Sequence, residues 1–106
     1  MNIWTNIKSS SGEAFRFRRL HPQEIPPRER GLVALTTVVD FEVKFLELEA
    51  ANDLAEACGT LRESNPQHYG CGVAICLVRG LDLDALSMIA ANLRDLHIYT
   101  PPSEAA

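Results

Sequence analysis

Residues 31–48 read GLVALTTVVDFEVKFLEL, and the way this stretch divides decides the fold. Leu32–Val39 is dense in β-branched side chains, whose stiff χ1 angles suit a pleated, buried strand. Beyond Asp40 two periods compete. Phe41, Val43 and Phe45 alternate as a strand requires, while Phe41, Phe45, Leu48, Ala51, Ala55 and Cys58 recur at helical spacing. The favoured division is a strand continuing to Phe45 and a helix over 47–64. A helix starting at Asp40, with that aspartate as its N-cap, is the alternative, so strand or helix stays open for 40–46. Gly59 either weakens the last turns, by about 1 kcal/mol against alanine, or closes the helix early.

Upstream, Ile3–Lys8 and Glu13–Leu20 are rich in β-formers and flank Ser10-Ser11-Gly12. A three-residue loop ending in glycine closes a hairpin well, because its last residue takes a positive φ. The implied register pairs Ile3 with Arg19, Thr5 with Phe17 and Ile7 with Phe15. It puts Ile3, Ile7, Phe15 and Phe17 on one face and Trp4, Asn6, Arg16 and Arg18 on the other; a slip by one residue would mix the two sets. Residues 21–30, HPQEIPPRER, hold three of the six prolines and read as an ordered loop.

Downstream, Asn65-Pro66 breaks the helix. The run GVAICLVR (72–79) is apolar at nearly every position, as in a central strand covered on both faces. Asp82 or Asp84 caps a helix to about Leu96, with Leu86, Ile89, Ala90 and Leu93 inward. His97–Thr100 is a candidate last strand, which would make 72–100 a right-handed parallel β-α-β crossover. The expectation is one α+β domain over 1–100, order β-β-β-α-β-α, with a mixed sheet packed by two helices and a frayed tail at 101–106.

Composition sets the class. With 106 residues, 46% hydrophobic and 23% charged, the chain can bury one core and is not disordered. The N-terminus lacks a basic-then-apolar pattern and the apolar runs are too short for a bilayer, so the expectation is a soluble, cytoplasmic protein with no membrane partner. Cys58, Cys71 and Cys76 are odd in number and apolar in setting, which favours reduced, buried thiols. Residues 1–30 carry six basic side chains (Lys8, Arg16, Arg18, Arg19, Arg28, Arg30) against three acidic ones (Glu13, Glu24, Glu29). The remainder carries four basic and eleven acidic ones. Such bipolar charge steers association with a charged partner.

Candidate chemistry is sparse. Of His68, Cys71, Cys76 and Cys58, the first two have a usable ligand spacing, but Cys76 points into an apolar strand and Cys58 lies on the inner face of a helix, so no metal is expected. His68-x-x-Cys71, on a glycine-flanked loop entering a strand, is the one local pair that suggests a nucleophile beside a base, but no electropositive setting that would lower the thiol pKa is evident. The carboxylate pairs Asp82/Asp84, Glu47/Glu49 and Asp40/Glu42 read as caps and solvated faces. No phosphate-binding glycine loop exists, and no cofactor is expected. Nucleic acid is argued against by the acidic balance and a pI of about 5.3.

Protein recognition uses the same basic residues better. Tryptophan and arginine are enriched in binding hot spots, and an arginine stacks on a tryptophan by cation–π attraction. The partner-binding candidates are Trp4, Arg16, Arg18, Arg28 and Arg30. The leading expectation is a non-enzymatic protein that masks or bridges a larger protein partner. Inhibitors, immunity proteins and phage anti-defence proteins supply an analogy of class, which does not imply function. One alternative is a small enzyme or ligand-binding domain with a pocket at the His68–Cys71 loop. The other is a homodimerising structural subunit, since an open sheet edge is a template for pairing.

Overall fold

The first hairpin closes as its turn residues dictate. Gly12 N donates to Ser9 O at 3.0 Å and Ser9 N to Glu13 O at 2.9 Å, with Gly12 at φ 88°. Strands β1 (Trp4–Lys8) and β2 (Ala14–Arg19) pair antiparallel with Thr5 opposite Phe17 and Ile7 opposite Phe15, the expected register. Ile7, Phe15 and Phe17 are buried, whereas Ile3, at the open end, remains exposed. The computed structural model describes residues 3–64 and 71–100.

The stretch that decides the fold divides differently from the expectation. Strand β3 (Gly31–Val39) turns at Asp40-Phe41 into a further strand, β4 (Glu42–Ala51). Asp40 and Phe41 have φ of 52° and 67°, so they form a two-residue turn of the I′ kind, whose twist matches that of the flanking strands. Helix α1 (Leu54–Ser64) therefore begins well after Glu47. The misleading helical spacing has a physical cause. Pairing shifts between Thr36–Phe45 and Leu35–Glu47, leaving Leu46 as the extra residue of a β-bulge. Phe45 and Leu48, three residues apart, thus reach the same core from a strand. Gly59 lies inside α1 and does not end it.

Strand β5 (Gly72–Leu77) and helix α2 (Leu83–His97) complete the order β-β-β-β-α-β-α. Asp82 is the cap, accepting from Ala85 N at 2.8 Å. The strands run β1-β2-β5-β3-β4 in one five-stranded sheet, every pair antiparallel. The α+β class stands, with one more strand than expected. The last segment does not build a parallel crossover with β5. Both edges of β5 are already taken by β2 and β3, so Ile98 instead makes a single parallel bridge to Phe45 on β4.

Alternate residues of the central strands feed two cores. Leu32, Ala34, Ala74 and Cys76 face α2 with Phe17, Phe45, Leu86, Ala90 and Leu93. Val33, Val73 and Ile75 face α1 with Leu20, Leu54 and Cys58. Burial on both sides is why 72–77 lacks an alternating pattern. Helix α1 packs chiefly on β3 and β5, and among the described residues no helix packs closely on the same side of β1 and β2. Among the described residues no helix is long and apolar enough to cross a membrane.

Candidate functional site

Two residues apart on β2, Arg16 and Arg18 project from one side, and Trp4 on β1 lies opposite Arg18. Their directions diverge. Arg18 forks onto Glu24, donating to its two carboxylate oxygens at 3.1 and 2.7 Å. Arg16, diagonal to Trp4, instead lays its guanidinium 4.1 Å from the centre of the indole ring. Long side chains bridge such diagonal positions, and a cation over an indole face is attracted by the ring quadrupole. Among the described residues no carboxylate pairs with Arg16.

These three side chains, with Pro27, Ile75 and Leu77, line a hollow of about 250 Å³ on the uncovered part of the sheet. Its apolar area is contributed by strand and loop residues; Trp4 and Leu77 are 38% and 44% exposed. The volume falls below the roughly 300–1,000 Å³ of small-molecule sites, and suits one inserted side chain. Chemically the hollow offers an apolar cup with a cation at its wall.

The loop 21–30 is held so that Pro27 reaches this cup. Arg62 on α1 donates to Glu24 O at 2.7 Å and His21 O at 3.0 Å, and His21 N donates to the Glu24 carboxylate. The Arg18 fork, and then the His21 amide, hold the Glu24 carboxyl below its ordinary value, while the same fork raises Arg18. Arg18 is thereby a wall of the hollow whose charge is already matched.

Of the five sequence candidates, Trp4, Arg16 and Arg18 come together and Arg28 and Arg30 do not. Arg28 pairs with Asp53, whose carboxylate also caps α1 by accepting from Ala55 N. Arg30 donates to Asn52 and to Leu81 O. Both tie the loop to neighbouring segments. Sequence reasoning missed Pro27, Ile75, Leu77 and the neutralising Glu24. A run that is apolar throughout carries no signal for which of its residues meets an open face.

Cys58 and Cys76 are buried on opposite sides of the sheet, in the α1 and α2 cores respectively. Burial raises both thiol pKa values, that of Cys76 to about 11. Cys71 is half-buried, while His68 and the rest of the loop proposed to hold a pocket, residues 68–70, lie outside the described residues. Comparison with protein-family models, with curated proteins and with solved structures found no match.

Proposed function

We propose that this chain is a non-enzymatic binding protein that masks or bridges a larger protein through the Trp4–Arg16 hollow. The partner segment it fits is acidic with an apolar tip: the tip enters the cup and a carboxylate meets Arg16. The observation that carries this reading is the Arg16 guanidinium, stacked on Trp4 beside an apolar cup and left without a carboxylate among the described residues. An arginine laid on an aromatic platform is a common form of binding hot spot.

The test compares immobilised wild-type protein with Arg16→Glu and Arg16→Lys in capture from the source cells. A specific partner should be retained by wild type, weakly by the lysine variant and not by the glutamate variant, with all three melting alike. A partner retained equally by Arg16→Glu would place the interface elsewhere.

A further inference from the structure

The tip of the β3–β4 hairpin has the chemistry that the hollow fits. Phe41 is 98% exposed and sits at φ 67°, a region that bulky L-residues rarely enter. Type I′ turns select asparagine and glycine there, so neither local conformation nor burial accounts for a phenylalanine. Strained residues of this kind cluster at active sites, ligand clamps and switch regions. Beside it, exposed Asp40 pairs with no cation among the described residues, while Glu42 pairs with Lys44 at 3.0 Å. One ring and one unmatched carboxylate stand at the tip; one cup and one unmatched guanidinium stand at the hollow.

The chain cannot join its own two ends. Leu77, in the hollow, pairs with Gly31 at the start of β3. Phe41 lies ten residues further along the chain, past the end of the same strand. At ~3.3 Å per residue that is a span of about 30 Å. The β3–β4 arm also extends past β5, whose pairing with β3 ends at Thr36.

We infer that a second copy of this chain docks here, its Phe41 ring in the Trp4–Leu77 cup and its Asp40 carboxylate on Arg16. Tip and hollow are different surfaces, so two copies either exchange tips reciprocally about a two-fold axis or link head-to-tail. A head-to-tail contact closes into a discrete oligomer only if the geometry returns on itself. This inference rests on the reading of the hollow as a docking socket. It adds a form of regulation, because self-association covers the surface that the outside partner needs.

Sedimentation velocity on the full chain, up to ~1 mM, reads the contact directly. The wild-type mass should rise with concentration, and less so at high salt. Phe41→Gly, which suits the positive φ, and Arg16→Glu should each weaken the association constant about thirtyfold or more, the loss expected for a hot-spot side chain. Mixing the two variants should restore a complex, since one retains the hollow and the other the tip. A wild-type protein that stays monomeric throughout, or a Phe41→Gly variant that associates as wild type does, overturns the inference. Partner capture separates the two readings, because Phe41→Gly should still capture an outside partner that Arg16→Glu loses. Arg16-dependent capture by a monomeric wild type defeats only the self-association; self-association lost in both variants, with no Arg16-dependent partner, defeats only the outside-partner reading.

Discussion

Gly31 and Cys76 approach so closely that a Cβ on the glycine would stand 2.6 Å from the Cys76 carbonyl oxygen, and 3.1 Å from Leu54 Cδ1. The obstacle is backbone of the neighbouring strand, which cannot swing aside as a side-chain end can. Gly31→Ala should therefore destabilise the fold by about 1–3 kcal/mol, the usual cost of overpacking. Gly59 is the opposite case, with nothing within 4 Å of its virtual Cβ in the helix. Gly59→Ala should stabilise by about 1 kcal/mol through helix propensity. Denaturant midpoints for the two variants, moving in opposite directions, check the pair.

The two faces of the first hairpin should separate in their phenotypes. Phe17 is fully buried and Phe15 nearly so, within the α2 core. Alanine at either should cost about 3 kcal/mol or more, cavity term included. Arg16→Ala should change stability by less than about 0.5 kcal/mol, as surface substitutions do. Arg18→Ala should fall between them, at about 1 kcal/mol or less, because it also releases Glu24 from a partly exposed pair. Equal destabilisation by Arg16→Ala and Phe17→Ala would mean that the hairpin packs with its other face inward.

Glu24 links the site to pH. Its carboxyl is held below the ordinary range in the folded chain, first by the Arg18 fork. A group whose folded pKa is lowered contributes stability above its unfolded value, and loses it as pH falls through the folded value. Wild type should thus exceed Glu24→Gln in stability at neutral pH by about 1 kcal/mol or less, since both partners are roughly a third exposed. The two stability curves should converge in acid. Curves that stay parallel down to low pH would show that the fork adds no stability.

The thiols give the alkaline counterpart. Cys58 and Cys76 are buried and should resist alkylation until the chain unfolds, whereas half-buried Cys71 should react first. From the free thiol value of about 8.5 upward, the unfolded chain releases protons that the folded chain still holds. Cys76 keeps its proton up to about 11, so stability should fall as pH rises across that window. Cys76→Ala should lessen that fall, with urea midpoints measured at several alkaline pH values as the readout. An unchanged slope would mean that the Cys76 thiol is accessible to water.

The sequence by itself determined the parts whose causes are local. Ser10-Ser11-Gly12 specified a turn that only one register satisfies, and that register placed Trp4, Arg16 and Arg18 together, because side-chain direction alternates along a strand. Asp82 capped its helix through a neighbour three residues away. Only the tertiary structure decided residues 40–51. There the bulge at Leu46 lets a strand carry helical spacing, and the turn at Asp40-Phe41 joins one turn-forming residue to a phenylalanine that carries no turn signal. The fate of Arg28 and Arg30 was equally hidden, since Asp53, Asn52 and Leu81 O come near only once the chain has folded. The hollow itself exists because α1 covers β3 and β5 and stops short of β1 and β2. Which part of a sheet a helix leaves open depends on packing between distant segments, and no local pattern of residues encodes it.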